Sequence, residues 1–192
     1  MKKILFLALA LAFVSVGCNK DDDETFVLKH EGDNNSAPLL DGDVYVAAAR
    51  FNSNITNAYS GAQMESIDFY LLDLPSTCAI IIYGEGTAST PGPVLYSSTE
   101  LSNEISGSSW NTHVLSSPID ILGDDLWIGV EVSHIQSIRT VGCDNGPAIA
   151  NGDWIHSASN NEWETLRSFT SDPNPENEVS INWNIRGNLK EN

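Results

Sequence analysis

One alternating stretch limits the possible folds of this chain more than any other, the run LWIGVEV from Leu126 to Val132. Its leucine, isoleucine and two valines fall on one face of an extended strand, whereas Trp127 and Glu131 fall on the other. This period of two predicts a β-strand with one aliphatic face toward a core. A loop rich in Gly, Asn and Asp follows at residues 142–153, and a second short strand begins at Trp154. We therefore expect a buried strand that leads into a polar rim loop.

Similar short segments recur along the chain, separated by turns rich in Gly, Asn, Asp, Ser and Pro. Besides the two strands above, they are residues 26–30, 44–51, 64–74, 78–83, 94–97, 110–115, 119–122, 163–169 and 179–186. Asn52 or Ser53 can begin one helical turn, which Gly61 would end. This pattern predicts a single all-β domain over residues 26–190. Its expected architecture is a jelly-roll-like β-sandwich of two mainly antiparallel sheets, with about ten strands and at most one short helical turn.

The first 17 residues have the features of a secretory signal peptide. Two lysines precede an apolar run at residues 4–14, which is shorter than the roughly 20 residues that span a bilayer. Gly17-Cys18 resembles the end of a lipobox, whose cysteine becomes diacylated, although Ser15 stands where a leucine is usual. We expect lipidation of Cys18 and anchoring in outer-membrane lipid. The alternative is ordinary signal-peptidase cleavage after Gly17.

Residues 18–25 are expected to form an acidic tether. The run from Asn19 to Glu24 resembles the signal that sends lipoproteins of Bacteroidetes-type bacteria to the outer face of the outer membrane. The residues that would carry this signal are Lys20, Asp21, Asp22 and Asp23. The resemblance implies a lipid-anchored protein that faces the extracellular side. The simpler interpretation is a solvated acidic segment.

The charge of the chain bears on its partners. The formal net charge is −17, and removal of residues 1–17 would take away two lysines and no acids, leaving 7 − 26 = −19. A surface of this sign repels phosphate backbones, so nucleic acid is not expected as a partner.

Two cysteines lie beyond Cys18. An even pair in an exported protein favours a disulfide between Cys78 and Cys143, which would close a long loop. The alternative is a pair of buried free thiols, because spacing alone does not show that the two Cβ atoms meet.

No catalytic motif stands out in the chain. The Gly84-Glu85-Gly86 run lacks the remaining glycine and the helix of a dinucleotide site. The four histidines, His30, His113, His134 and His156, have no zinc-ligand spacing. The carboxylates that could face a cleft are Asp68, Glu85, Asp120 and Glu131, and no two are favoured as a glycosidase pair. We expect a protein that is not an enzyme, with a glycoside-active enzyme as the less favoured alternative.

Oxygen-rich turns offer candidate ligands for calcium. Asp41, Asp43 and Asp144 lie beside glycines in turns that supply carboxylate and carbonyl oxygens, which Ca²⁺ prefers. None of these turns matches an EF-hand, and turn formation alone explains Asp-Asn-Gly equally well. No cofactor is required, and structural calcium is the one candidate.

A ligand site is predicted around Trp127, which points away from the aliphatic face of its strand. If Trp127 is exposed, it forms an aromatic platform for a sugar or peptide, with polar groups from the loop that follows. The residues predicted to bind the ligand are Trp127, Asp144, Asn145, Asp153 and Trp154. The rival possibility is that another strand covers Trp127 and makes it a second core residue.

Several segments together resemble a known family. They are LWIGVEV, CDNGPAIANGDWI, the strand that contains Trp163 and the closing NWNIRG of residues 182–187, with AARF, IDFY and IYG earlier in matching order. They look like the cleaved-adhesin jelly-roll domains that accompany gingipain proteases on Bacteroidetes surface proteins. The resemblance implies a non-catalytic adhesion domain, often with structural calcium.

These observations lead to an expected function. We expect a surface-exposed lipoprotein that acts as a binding module for an extracellular glycan or protein. The alternative is a structural or assembly subunit of the cell envelope, since an acidic face could also meet a partner protein.

Overall fold

Strands with alternately buried side chains make up most of the fold in a computed structural model, which describes residues 26–170 and 179–191. The described strands are β1 (Phe26–Leu28), β2 (Leu39–Leu40), β3 (Asp43–Phe51), β4 (Gln63–Leu71), β5 (Thr77–Tyr83), β6 (Val94–Ser97), β7 (Ser109–Asp120), β8 (Leu126–His134), β9 (Ile138–Arg139), β10 (Trp154–Ser157), β11 (Glu162–Thr165) and β12 (Ile185–Lys190). The helices are α1 (Ser53–Thr56), a 3₁₀ turn (Asn57–Tyr59) and α2 (Leu166–Phe169).

Two antiparallel sheets form the layers of the sandwich. The larger sheet has the order β11-β10-β3-β8-β5-β6, and the smaller has the order β1-β12-β4-β7, while β2 and β9 form a separate pair. Strands β3, β4 and β5 alternate between the two sheets, as do β7 and β8. The predicted all-β sandwich is confirmed.

The core lies between the inward faces of the two sheets. All four aliphatic residues of β8 that share one face are buried, as the period of two predicted. Opposite them, β4 contributes Met64, Ile67 and Phe69, which are also buried. Each large apolar side chain removed from water stabilises the fold by roughly 1.5–3 kcal/mol. This core fixes which face of β8 points outward.

Four predicted segments differ from the observed elements. Residues 110–115 and 119–120 belong to one long strand, β7, which ends at Asp120, and its register against β4 shifts between Met64 and Ser66. The segment predicted as a strand over residues 163–169 turns helical at Leu166, because the Thr165 hydroxyl accepts a hydrogen bond from the Ser168 N–H and caps α2. The last strand begins at Ile185, whereas the sequence predicted residue 179.

The N-terminal predictions lie outside the described residues. These are the signal peptide of residues 1–17, the lipidation of Cys18, and the export signal at Lys20, Asp21, Asp22 and Asp23. Within the part of the chain that the structure describes, no helix is long and apolar enough to cross a membrane.

Candidate functional site

The outer face of the larger sheet collects four aromatic side chains from four strands. Tyr83 of β5 pairs with Trp127 of β8, and Trp154 of β10 and Trp163 of β11 lie toward the opposite edge. Tyr83, Trp127 and Trp154 each alternate with a core residue of their own strand, and Trp163 packs with them in a cluster separate from the main core. We call these four residues the aromatic face.

The four rings pack against one another at angles typical of aromatic pairs. The ring centroids of Trp127 and Trp154 are 5.1 Å apart, and those of Trp127 and Trp163 are 5.6 Å apart. Tyr83 meets Trp163 edge-to-face at 5.8 Å, with an interplanar angle of 85°. Such pairs contribute roughly 0.5–1.5 kcal/mol beyond their area burial, so the cluster holds its shape.

The structure contradicts the prediction that Trp127 is exposed. Trp127 is fully buried, since Trp154 of β10 and Trp163 of β11 pack on it across β3, and Trp154 itself is 9% exposed. The rival possibility is therefore right, and Trp127 belongs to a second, smaller core. The exposed platform is formed instead by Trp163 and Tyr83, which remain partly open to solvent.

A glycine lets Tyr83 lie close to the sheet. A Cβ at Gly129 would meet the Val46 Cγ1 atom at 2.8 Å and the Tyr83 ring at 3.5 Å. A larger residue there would displace Val46, whereas its contact with the Tyr83 ring would have ordinary van der Waals length. Gly129 therefore leaves room for the Val46 side chain beside Tyr83.

Polar side chains flank the platform along one row of the sheet. The register aligns Glu131, Val46, His156 and Trp163 across β8, β3, β10 and β11. Glu131 and His156 are thus two strand spacings apart, about 10 Å, and both are half-buried. The His156 ring contacts Trp163 at 5.3 Å between centroids. In this row Trp163 is at one end and Glu131 at the other, with His156 next to Trp163.

The tyrosine hydroxyl stays neutral at physiological pH. Burial raises the pKa of Tyr83 to about 12, and the nearby Glu131 carboxylate adds to the rise. Tyr83 can therefore donate a hydrogen bond as well as stack. Together, the platform and its row present ring faces, a phenol, an imidazole and a carboxylate.

Arg50 lies on the same face as Trp127, and all of its known contacts are with the protein itself. Its guanidinium lies 5.6 Å from the Trp127 ring centroid. It donates to the Asp125 carboxylate from Nε at 3.1 Å and to the Ala88 carbonyl oxygen at 2.8 Å. The Arg50–Asp125 pair is largely buried, so this arginine is not available to a ligand carboxylate.

Among the rim-loop residues predicted to bind the ligand, Asp144 forms its hydrogen bonds within the protein. The buried Asp144 carboxylate accepts four N–H donors, from the Gly32 and Gly146 main chains and from the main chain and side chain of Asn182, at 2.8–3.0 Å. Burial opposes ionisation, but these bonds outweigh it and lower the pKa of Asp144. Asn145 is exposed, and its side-chain oxygen is 3.5 Å from Asn35 Nδ2.

Asp153 also forms its hydrogen bonds within the protein. It is fully buried and forms a bidentate pair with Arg167, at 2.8 Å to Nε and 3.1 Å to Nη2. Burial raises the pKa of Asp153 more than the arginine lowers it. The carboxylates of Asp144 and Asp153 are therefore both engaged by internal donors, and their role in ligand binding stays a prediction.

The three carboxylates suggested for calcium have separate partners. Asp41 accepts from the Ser137 hydroxyl at 2.7 Å, and Asp43 accepts from the Ser157 hydroxyl and the Ser159 N–H. Over residues 26–170 and 179–191, no three His, Cys, Asp or Glu side chains are grouped so as to hold a metal ion. Calcium at Asp41, Asp43 or Asp144 stays a prediction from the sequence.

The predicted disulfide is absent from the structure, which keeps Cys78 and Cys143 as two free, buried thiols. Cys78 lies in β5 opposite Val132, whereas Cys143 bridges to Ser36 and Trp183 beyond β9. The two sulfurs belong to different parts of the sandwich, so the alternative of separate thiols is the correct one.

Four residues of the candidate site were not predicted as ligand contacts: Tyr83, Glu131, His156 and Trp163. The alternation of β8 placed Glu131 on the same face as Trp127, and this was the available signal. The order of strands across the sheet, which joins residues far apart in sequence, was not visible.

Comparisons with known proteins identify a shared fold. No family model matches the chain, and no curated protein matches it. A solved structure of the clostridial cysteine protease Cwp84 after propeptide cleavage aligns with a TM-score of 0.60 and 14% identity, over 89% of this chain and 41% of that one. A second structure aligns with a TM-score of 0.52 and 14% identity, over 86% of this chain and 37% of that one. It contains the cysteine protease and lectin-like domains of Cwp84, a surface layer associated protein of Clostridium difficile. This chain spans less than half of either structure, and at this identity the likeness establishes a common β-sandwich fold.

Proposed function

We propose that this protein is a non-catalytic, surface-exposed binding domain that holds an extracellular glycan on its aromatic face. The observation that carries the proposal is the pair of partly exposed rings, Trp163 and Tyr83, fixed at 85° to each other above a buried tryptophan. Rigid aromatic rings present apolar area at little entropic cost, and the C–H face of a sugar can stack on them. The sugar hydroxyls would meet His156 and Glu131 along the same row.

The fold comparison supports this function indirectly. Cwp84 is described as having a lectin-like domain beside its protease domain, and this chain is almost entirely β. We infer that the likeness lies in the lectin-like part. On that basis we propose a lectin-like binding role for this chain, performed by its own Trp163 and Tyr83.

The sequence supports the location and the broader role. The lipobox-like Gly17-Cys18 and the acidic run after it favour a lipid anchor in the outer membrane, with the domain on the extracellular side. The resemblance to cleaved-adhesin domains of Bacteroidetes surface proteins favours adhesion. A tethered glycan-binding domain would attach its cell to a polysaccharide or a glycosylated surface.

A glycan array followed by calorimetry tests the proposal. The wild-type protein is first screened for a bound glycan, and Trp163→Ala is then titrated with the best of them. We expect affinity to fall about tenfold or more, because loss of a stacking ring costs about 1.5 kcal/mol. Because Trp163 lies at the sheet edge, the fold should persist, which circular dichroism checks.

The matched control is Trp110→Ala. Trp110 is also partly exposed, but it lies on the smaller sheet, where its ring packs under Arg186 at 4.0 Å and against Tyr70. This variant should bind the glycan normally. The proposal fails if the wild type binds no glycan, or if both substitutions weaken binding equally.

A further inference from the structure

We propose a second binding site, a pocket at one end of the sandwich that takes the lysine or arginine side chain of a partner protein. The pocket has a volume of about 260 Å³ and opens between α1, the loop before β6 and the connection from β7 to β8. None of the aromatic-face residues lines it. The inference is therefore independent of the glycan site.

The inner wall of the pocket is apolar. Ile121 and Leu126 are buried at its base, and Pro93, Leu95 and Leu122 form its sides. A methylene chain fits such a wall, since each buried CH₂ contributes about 0.8 kcal/mol. The pocket thus accommodates the stem of a long side chain.

Carboxylates surround the mouth of the pocket, and most of them have no cationic side chain paired with them. Asp125 is neutralised by Arg50. Asp120 accepts only from the neutral Gln63 amide, at 2.7 Å. Glu85 and Asp124 are exposed, and neither forms a salt bridge among the described residues.

Within the described ranges, no lysine or arginine lines the pocket. Arg167, Arg186 and Lys190 pair with acids elsewhere, Arg139 donates to the Ala37 carbonyl oxygen, and the exposed Lys29 lies outside the pocket lining. The chain as a whole carries a net charge of −17, which draws cations toward it. Lysine and arginine side chains have an apolar stem that ends in a positive group. The stem would pack on the apolar wall, and the positive group would pair with the carboxylates at the mouth.

The size and surroundings of the pocket favour a side chain presented by a protein. Sites for small molecules usually measure roughly 300–1,000 Å³, so this pocket is suited to one side chain rather than to an oligosaccharide. Leu122 is 74% exposed and Leu95 49% exposed at its edge. This apolar rim would be covered by the residues that flank the inserted lysine, whereas a free amine would leave it open to water.

The test is a methyl NMR titration of the intact protein with three probes. They are a capped Leu-Lys-Leu peptide, its Leu-norleucine-Leu counterpart and butylamine. The lysine peptide should shift the methyl signals of Leu95 and Leu122. The norleucine peptide, which has the stem without the charge, should bind at least severalfold more weakly, and so should butylamine, which lacks the flanking residues.

Substitutions at the mouth test whether the carboxylates cause the preference for the lysine peptide. Glu85→Gln with Asp124→Asn should weaken the lysine peptide by about three- to tenfold, the size expected for two exposed ion pairs, and leave the norleucine peptide unchanged. The control is Asp33→Asn with Glu162→Gln, which removes the same two charge types from exposed positions outside the pocket. This control should bind as the wild type does.

Three results would overturn the inference. The first is equal binding of the lysine and norleucine peptides. The second is butylamine binding as tight as that of the lysine peptide, and the third is an equal loss in the control variant, which would show a general charge effect. A failure of the glycan experiment would leave these measurements unaffected, since Trp163 is not part of the pocket.

Discussion

Trp127 shows how one side chain can determine the shape of a surface that it does not itself expose. It lies beneath Trp163, beside Trp154 and over the guanidinium of Arg50. The exposed rings therefore rest on a buried one. Support of this kind gives a binding surface rigidity, which reduces the entropic cost of ordering it when a ligand binds.

The buried position of Trp127 leads to a prediction about stability. Trp127→Ala should lower the free energy of unfolding by about 3–5 kcal/mol, the usual cost of deleting a large core aromatic ring. Urea denaturation monitored by circular dichroism measures this change. Trp163→Ala serves as the comparison and should cost clearly less, because its ring is partly exposed. If both variants lost the same free energy of unfolding, Trp127 would not be the buried support and Trp163 the exposed contact that we describe.

At the scale of elements, one carboxylate joins the start of β3 to the end of β10. Asp43, the first residue of β3, accepts the Ser157 hydroxyl and the Ser159 N–H, and these residues end β10 and begin the turn after it. This link helps to hold β10 and β11 on the sheet. Since these two strands carry Trp154, His156 and Trp163, the link bears on the shape of the binding face.

This link should make part of the stability depend on pH. Burial alone would raise the pKa of Asp43, but the hydrogen bonds from Ser157, Val44 and Ser159 together lower it to about 2. A carboxyl whose pKa is depressed on folding stabilises the protein above its unfolded pKa, near 4, and loses that contribution as the pH falls toward 2. We expect a loss on the order of 1 kcal/mol over this interval, reduced from the full linkage value because the site is partly solvated.

Urea unfolding of the wild type and of Asp43→Asn between pH 2 and pH 6 measures the effect. The variant should be less stable near pH 6, and the difference between the two proteins should shrink toward pH 2. Asp33→Asn, at an exposed position with no such hydrogen bonds, is the control and should track the wild type. A difference that stays constant with pH would show that Asp43 acts through packing alone.

The strands that sequence analysis identified are those with enough apolar or alternating residues of their own to be recognised. Strand β8 was predicted correctly because alternate residues meet the same core, and β3 and β5 carry enough apolar residues to show the same preference. Strands β2 and β9, with two residues each, have no period to detect. The change from strand to helix at Leu166 depends on a single N-cap hydrogen bond at Thr165. The alternating residues around it gave no sign of this cap, so the segment was predicted as a strand.

The site was harder to predict because it depends on strand order. The period of β8 correctly placed Trp127 on the outer face, but its cover comes from Trp163, 36 positions along the chain. The polar residues of the following loop looked free because their donors, such as Asn182 for Asp144 and Arg167 for Asp153, approach from distant segments. A single sequence shows which groups a residue carries, and these long-range contacts decide which of them remain available.

At the scale of the whole molecule, the surface charge should select among glycans. The protein carries a net charge of −17, Glu131 lies on the binding row, and Arg50 is already paired with Asp125. The arginine of this face is therefore already balanced by an aspartate, and the row itself contributes a carboxylate. This arrangement favours neutral glycans.

The expected result is at least a tenfold preference for a neutral glycan over the same glycan carrying sulfate or uronic acid groups, at low ionic strength. Calorimetry at low and at high salt measures it, and the preference should shrink at high salt, because exposed charges are then screened. Glu131→Gln should also reduce the preference without weakening the neutral glycan more than a few fold. Tighter binding of the acidic glycan would contradict this account of the site.

The two free thiols have a consequence for where the protein can work. Burial raises the pKa of Cys78 to about 12 and that of Cys143 to about 11, with nearby carboxylates adding to both shifts. At neutral pH almost no thiolate forms, and the thiolate is the species that reacts with oxidants and disulfides. No cross-link has to form or survive for the sandwich to hold together. We therefore expect the described part of the chain to unfold at the same denaturant concentration with and without a reducing agent, so that its fold suits reducing and oxidising surroundings alike.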